Sequence, residues 1–199
     1  MIMGEDYFDL EERLEDAKNF HGDLCAGITI GTRMTLLGLK AIGIEDPKGK
    51  NKKDFMAFVE TYRCPADAVL AVAGCQPGKR TLRVVDYGKT AATFVNLKTG
   101  KAVRVSMNDR EDDKSQEKTR EMIEKDPHTK EWALRPVEEL FDIREVSVEI
   151  RPEHLPGKPL RIVTCCVCGE RVMDLRHVQK DGKFYCKPCA EGENYYRPL

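Results

Sequence analysis

Apolar positions in the first quarter of the chain recur at helical spacing. Leu10, Leu14 and Ala17 fall on one face of the segment at residues 9–20, which predicts an amphipathic helix. After a polar break flanked by glycine, a second helical segment runs to about Gly43. Because this second segment is apolar nearly all round, we expect its helix to be buried.

A third helix is predicted over the apolar run at residues 66–73. Pro65 suits the first helical position and Gly74 suits the C-terminal cap, which leaves Cys64 as the expected N-cap. Cys75 follows directly after Gly74. The predicted helix therefore has a cysteine at each end.

Most of the other apolar runs predict strands, and the turn at residues 98–100 joins two of them in a hairpin. A short helix is predicted at residues 136–141, and the charged stretch at residues 108–125 is typical of a solvated helix. These elements predict an α+β fold, a mixed α/β core in which helices pack on a mainly antiparallel sheet. The predicted strands are residues 55–62, 82–85, 92–97, 102–107 and 146–150.

Three prolines and a glycine within residues 151–159 interrupt the regular pattern and indicate a linker. We therefore divide the chain into a core domain at residues 1–150, a linker at 151–163 and a small C-terminal module at 164–199. The module is too short to bury a sufficient apolar core of its own.

The C-terminal module carries two cysteine pairs, Cys165 with Cys168 and Cys186 with Cys189. Two residues within each pair and seventeen between the pairs are typical of a structural zinc site. Cys166 is an alternative to Cys165, although the two-residue gap favours Cys165. Four protein ligands leave the zinc no open position, so this ion is expected to be structural and not catalytic.

The residues between the two pairs predict how the zinc site closes. Asp181 and Gly182 are a hairpin turn signal between predicted strands at 172–178 and 184–185, and Gly169 suits a tight turn after the first pair. The hairpin returns the second pair of thiols to the first. Zinc binding, worth about 10–16 kcal/mol in comparable peptides, then supplies the stability that the module lacks.

Composition and charge limit the function classes that remain. The chain has 199 residues, eight cysteines and a net charge of −1, with neither a secretory signal at its start nor an apolar run of membrane-spanning length. These features predict a cytoplasmic protein whose cysteines are metal ligands or reactive thiols. Residues 151–199 have a formal charge of +3, but four thiolates around one zinc reduce it to about +1, which makes nucleic acid an unlikely partner.

A second group of metal-binding side chains lies in the core domain. His21, Asp23 and Cys25 fall within five residues at the start of the second helix, and Cys64 starts the third. If these helix ends converge, His21, Cys25 and Cys64 would share a metal, with Asp23 or Cys75 as a further ligand. Helix N-termini favour thiolates, which predicts a lowered pKa for Cys25 and Cys64. The alternative for Cys75 is a small buried core residue.

Several segments of the core together resemble the FmdE-like proteins, a family named after a component of formylmethanofuran dehydrogenase, over roughly residues 15–107. In the usual His-Gly-His-Leu-Cys-Pro-Gly pattern of that family, Asp23 here replaces the second histidine and Ala26 replaces the proline. Some members of the family also carry a zinc module at the C-terminus. The segments that carry the resemblance are residues 20–27, 31–34, 60–68, 74–75 and 86–89.

The resemblance implies a mixed α/β core, a homodimer and a metal near the His-Cys loop, zinc or another thiophilic ion. It also implies association with a larger redox enzyme of one-carbon metabolism that contains molybdenum or tungsten. It makes Tyr87 and Lys89 candidate pocket residues, with Tyr87 as a cofactor contact. The metal ligands that it implies in the core are His21, Cys25, Cys64 and Cys75. Separately from the resemblance, the alternative to metal chemistry is that Cys25 serves as a nucleophile with Lys89 as its base.

Three functions follow from these patterns. The first is a metal-dependent enzyme, or an accessory subunit of one, whose pocket lies at the loop of residues 21–25. The second is a regulatory or binding protein that uses the zinc module to contact a partner or nucleic acid. The third is a carrier of a metal or of a molybdenum cofactor. The patterns do not decide between an enzyme and an accessory protein.

Overall fold

A computed structural model describes residues 10–108, 133, 135–192 and 194–197. The chain forms two compact units, Met1–Glu149 and Ile150–Leu199. Among the described residues, no helix is both long enough and apolar enough to cross a membrane. The first unit is the predicted α+β core, and the second holds the small cysteine-rich module.

The three predicted helices of the core are present, with ends shifted by one or two residues. Arg63 and not Cys64 is the N-cap of the third helix, so Cys64 is its first residue, followed by Pro65. Gly74 ends this helix in the left-handed conformation, at a φ of 67°. The helices are α1 (Leu10–His21), α2 (Ala26–Ala41) and α3 (Cys64–Ala73).

A five-stranded sheet in the order β2-β1-β3-β4-β5 forms the other layer. Only the β1–β2 pair is parallel among the described pairings, so the sheet is mainly antiparallel as predicted. A short helix, α4 (Val137–Leu140), leads into the last strand. The strands are β1 (Phe55–Val59), β2 (Leu82–Val84), β3 (Ala91–Asn96), β4 (Ala102–Met107) and β5 (Phe141–Glu145).

The predicted strand at residues 146–150 is wrong, because the chain joins the sheet five residues earlier. Phe141 stands opposite Met107 in the register and is buried in the core. Val146 donates the next backbone hydrogen bond, to Ala102, and the residues after it are not in a strand. Of the predicted charged helix, residues 109–125 lie outside the described part of the chain.

The two faces of the sheet differ in character, since side chains alternate along a strand and register partners share a face. The near face, which α2 and α3 cover, is apolar. The far face carries polar side chains on neighbouring strands. Near-face residues include Ala57, Val59, Phe94, Val103 and Val105, and far-face residues include Glu60, Thr93, Arg104, Ser106 and Asp142.

Glycines on α2 let this helix approach its neighbours closely. A Cβ at Gly31 would lie 2.7 Å from the Pro65 Cα and 2.7 Å from the Ala68 Cβ, and a Cβ at Gly27 would lie 2.9 Å from the Cys64 Cβ. These separations are shorter than real contacts of a Cβ atom. The backbones of α2 and α3 are therefore as close as glycine permits, which brings the starts of the two helices together.

The second unit consists of two small hairpins and a short helix. Asp181 and Gly182, with φ of 49° and 72°, make the predicted two-residue turn. The predicted strand at residues 172–178 is instead two short strands, because Asp174 and Leu175 both have positive φ and break it. The elements are β6 (Ile162–Thr164), β7 (Arg171–Met173), β8 (Val178–Lys180), β9 (Lys183–Tyr185) and α5 (Lys187–Glu191).

The close helix packing predicts an unusual response to Gly31→Ala. Alanine in place of glycine within a helix normally adds about 1 kcal/mol of stability. Here the new methyl group meets the backbone of Pro65, so we expect a loss of about 1–3 kcal/mol instead. Urea unfolding followed by circular dichroism measures the change. Gly78→Ala is the control, because a Cβ at Gly78 meets nothing within 4 Å; an equal or more stable Gly31→Ala variant would contradict the packing described.

Candidate functional site

Three predicted ligands of the core converge at the helix starts. His21 is the last residue of α1, Cys25 is the N-cap of α2 and Cys64 is the first residue of α3. Gly22, at a φ of 108°, allows the sharp turn between the first two helices. One donor atom from each of the three side chains lies within 4.8 Å of the other two.

The donor set suits a thiophilic divalent ion such as zinc. Zinc bond lengths of about 2.0–2.3 Å place tetrahedral ligand atoms about 3.5–3.8 Å from one another. The Cys25 Sγ lies 4.0 Å from the His21 Nε2, close to that separation. One nitrogen and two sulfur ligands leave a fourth position for a further ligand, in contrast with a closed structural site.

Asp67 orients the histidine, although it is not among the site residues predicted from sequence. The Asp67 Oδ2 lies 2.9 Å from the His21 Nδ1, and a carboxylate accepts the proton that Nδ1 carries. In the neutral tautomer that carries its proton on Nδ1, the other ring nitrogen, Nε2, has the free lone pair that metal binding requires, and it faces Cys25. Helical spacing was the sequence signal that could have identified Asp67. This residue lies three residues after Cys64 and therefore on the same side of α3.

The predicted fall in the pKa of Cys64 is wrong, since the pKa of this thiol is raised. Burial is the main cause, and the hydrogen bond to Cys25 and the charge of that residue add to it. These effects outweigh the partial positive charge of the helix end. In the metal-free protein Cys64 is a thiol, and a bound metal would have to displace its proton.

Cys75 and Asp23 lie differently from the three converging residues. Cys75 is 1% exposed within the hydrophobic core and is not part of the group. Burial raises its pKa to about 12, even though the Thr81 hydroxyl hydrogen-bonds to it. Asp23 is mostly exposed, and its Oδ1 lies 3.5 Å from the His21 Nε2. Cys75 is thus a core residue, and Asp23 lies next to His21, Cys25 and Cys64 without belonging to that group.

Tyr87 and Lys89 lie in the loop that leads into β3, and both are exposed. Their backbone N–H groups donate to the Glu60 carbonyl oxygen. Lys89 lines a cavity of about 400 Å³ together with far-face residues of the sheet, and none of the three converging side chains lines that cavity. The structure therefore does not place Lys89 beside the Cys25 thiol.

The predicted zinc site of the second unit is formed as expected. The sulfurs of Cys165, Cys168, Cys186 and Cys189 lie within 4.8 Å of one another, and the Cys168 and Cys186 sulfurs are 3.9 Å apart. Gly169 adopts a φ of 76° and donates its N–H to the Cys165 carbonyl oxygen, which closes the first turn. This geometry is that of a closed structural zinc site.

The zinc ligand is Cys165 and not Cys166, which resolves the alternative that the spacing left open. Backbone N–H groups, first that of Cys168, donate to the Cys165 sulfur and lower its pKa to about 6. The hydrogen bond to Cys186 raises the pKa of Cys189 to about 12. The pKa shifts of Cys165 and Cys189 run in opposite directions because four sulfurs this close do not all ionise without a cation. A bound ion would allow all four to be thiolates.

Comparison with known proteins agrees with both the core and the zinc module. Residues 20–150 match the family described as FmdE, Molybdenum formylmethanofuran dehydrogenase operon. The chain belongs to the FmdE family. Residues 158–195 match the prokaryotic dksA/traR C4-type zinc finger. The FmdE match includes His21, Cys25 and Cys64, and the zinc-finger match includes all four cysteines of the module.

A solved structure and a curated relative extend the comparison. A tungsten formylmethanofuran dehydrogenase FmdE-like protein from Syntrophus aciditrophicus superposes with a TM-score of 0.63 at 25% identity, over 98% of this chain and 100% of that one. A probable S-adenosyl-L-methionine-binding protein from Archaeoglobus fulgidus is 38% identical over 93 residues. That match spans 46% of this chain but only 25% of the relative's length.

Loss of one zinc ligand should unfold the module alone. We expect Cys189→Ser to lose one zinc per chain and the hydrogen-exchange protection of residues 158–195, because Val163 and Cys165 are the only buried apolar residues described there. Peptides from residues 10–108 should keep their protection. Cys166→Ser is the matched control and should leave both zinc and protection unchanged. Undiminished protection in Cys189→Ser would show that zinc does not hold the module together.

Loss of the Asp67 carboxylate should weaken zinc binding by His21, Cys25 and Cys64, if these residues form a metal site. Asp67→Asn keeps a hydrogen-bond acceptor for His21 but removes the charge, so we expect zinc affinity at this site to fall about 10- to 100-fold. Competition with a chromophoric chelator measures the affinity. Glu15→Gln on α1 removes the same charge from an exposed side chain and should change affinity less than twofold. Equal affinities for Asp67→Asn and the wild type would remove Asp67 from the site.

Proposed function

We propose that the FmdE-like core binds one zinc or similar thiophilic ion through the His21 Nε2 and the sulfurs of Cys25 and Cys64, and that substrate or water takes the fourth position. The observation that carries this proposal is the convergence of the three donor atoms within 4.8 Å of one another. The hydrogen bond from His21 to Asp67 supports it, because metal-bound histidines commonly donate their second nitrogen to a carboxylate.

The residues around the site have distinct tasks under this proposal. Asp67 fixes the ring of His21 and keeps Nε2 unprotonated, and the starts of α2 and α3 hold the two sulfurs. Asp23, exposed beside Nε2, is placed to accept a proton from a group that enters the site. When bound, the ion supplies Lewis-acid chemistry towards a substrate oxygen.

The biological role follows from the family, and we propose it on that ground. The family description names a molybdenum formylmethanofuran dehydrogenase operon, and the solved relative is described in terms of the tungsten enzyme. A metal-dependent enzyme or accessory subunit in redox one-carbon metabolism is the function that fits both names and the site. The homodimer and the association with a larger redox enzyme are parts of the same proposal.

The other functions have less support. The archaeal relative's name refers to S-adenosyl-L-methionine, but the matched stretch is a quarter of that protein. Residues 151–199 carry a charge of about +1 once the zinc and its four thiolates are counted, which does not favour nucleic acid over a protein partner. A carrier would release its cargo, whereas the Asp67-oriented histidine favours a resident ion. The metal-dependent role is therefore the stronger proposal.

Metal content tests the proposed site directly. The purified chain should contain two zinc ions, and His21→Ala, Cys25→Ala and Cys64→Ala should each reduce the count to one. We expect the circular dichroism spectrum to persist, since the three side chains lie at helix ends, and Cys25 and Cys64 are only partly buried at the border of a small apolar cluster. Elemental analysis gives the count, and substitution with cobalt reports thiolate coordination in the visible spectrum.

Cys75→Ala is the control for the metal count, because it removes a cysteine sulfur from the core of the same unit without touching the proposed ligands. This variant should retain two ions. A single ion in the wild type, unchanged by the three ligand substitutions, would contradict the proposal and leave only the zinc module as a metal site.

A further inference from the structure

The far face of the sheet holds a polar cavity that lies apart from the proposed metal ligands. Its volume is about 400 Å³, within the range of small-molecule sites. Lys89 and Thr90 approach it from the loop before β3, Arg104 and Ser106 from β4, and Asp142 from β5. Three separate segments of the chain thus direct polar side chains to one space.

Arg104 is held rigidly at this cavity by a buried carboxylate. Its Nε and Nη2 atoms donate to the two Glu60 carboxylate oxygens at 2.7 Å and 2.8 Å, and Glu60 is 7% exposed. This bidentate pair uses two of the five N–H groups of the guanidinium and fixes its plane. The edge that carries Nη1 remains for a ligand. A guanidinium fixed in this way is suited to a planar or tetrahedral oxyanion.

Glu60 also anchors the other cationic wall of the cavity. Its backbone carbonyl oxygen accepts the N–H groups of Tyr87 and Lys89, both at 3.0 Å, so one residue fixes Arg104 through its side chain and the lysine loop through its backbone. The Lys89 ammonium lies 5.9 Å from the centroid of the Tyr87 ring, which limits where it extends. The Arg104 guanidinium and the backbone of Lys89 are therefore positioned before any ligand arrives, which lowers the entropic cost of binding.

The charges and hydrogen-bonding groups of the cavity indicate an acidic ligand. Glu60 neutralises Arg104, Asp142 lies 3.7 Å from the Arg144 guanidinium, and Lys89 adds a further positive charge. Ser106, on the far face, brings a hydroxyl group of the kind that donates to anionic oxygens. Asp142 is the acidic side chain on the wall of the cavity.

We propose that this cavity binds a small metabolite through an oxyanion, a carboxylate or a phosphate, held between Lys89 and the Nη1 edge of Arg104. The site goes beyond the metal centre proposed above and does not depend on it, because its walls come from the sheet and not from the starts of α2 and α3.

Calorimetric titration of the full-length, zinc-loaded protein tests this site. The probes are inorganic phosphate, succinate and, as a neutral analogue of the same shape, succinamide. We expect saturable binding of phosphate, succinate or both, and at least tenfold weaker binding of succinamide. Preference for one anion identifies the oxyanion as phosphate or carboxylate. Absence of saturable binding by both anions would overturn the proposal.

Charge variants locate the binding. Lys89→Gln removes an exposed cation and should weaken the better anion at least tenfold. Lys101→Gln removes an equivalent exposed charge from the opposite end of the β3–β4 pair and should change binding less than twofold. If Lys89→Gln and Lys101→Gln weaken anion binding equally, the anion is attracted by the overall positive charge and not by this cavity, and the proposal is overturned. Arg104→Lys keeps the positive charge but loses the planar guanidinium with its paired N–H donors. A folded Arg104→Lys variant should bind the anion at least tenfold more weakly.

Two further measurements separate this site from the metal centre. Amide resonances of residues 88–90, 104–107 and 142 should shift on anion addition, whereas shifts confined to residues 21–25 and 64–67 would place the anion on the metal and overturn the proposal. Cys25→Ala should bind the anion with unchanged affinity. The metal proposal and the cavity proposal then succeed or fail separately.

Discussion

The close contact between α2 and α3 is the constraint on which the proposed metal centre depends. Gly27 and Gly31 remove the side chains that would hold these helices apart, and a Cβ at either position would overlap α3. Cys25 caps one helix and Cys64 begins the other, so the separation of their sulfurs is set by the separation of the helices. Metal ligation tolerates errors of a few tenths of an ångström, and close packing is the interaction that fixes distances so tightly.

The zinc module and the proposed metal centre of the core relate to folding in opposite ways. In the second unit the sulfurs substitute for a core, since Val163 and Cys165 are the buried apolar residues described there. In the first unit apolar side chains form the layer between helices and sheet, and the proposed ligands are not part of that layer. In the zinc module, the free energy of metal binding stabilises the fold. In the proposed metal centre of the core, that free energy and the fourth coordination position remain for a ligand.

Sequence patterns predicted the features that depend on neighbouring residues. Proline and glycine marked the ends of α3, cysteine spacing identified the zinc module, and Asp181-Gly182 identified its hairpin. Features set by long-range register escaped prediction. Asp67 meets His21 across 46 residues, and the cavity on the far face requires the pairing of Ser106 with Asp142. Helix ends can be read from single residues, but strand register depends on the whole sheet.

The alternation of Val59 and Glu60 shows how one strand serves both faces. Val59 packs into the core beneath the helices, and Glu60 turns to the opposite face and holds Arg104. Four residues later the chain reaches Cys64, a path of at most about 14 Å. Because the Glu60 carboxylate is buried and paired, removing Arg104 would leave an uncompensated charge in the sheet. The Glu60–Arg104 pair is thus part of the fold and also fixes one wall of the cavity, so the same sheet that packs against α2 and α3 constrains the proposed anion site.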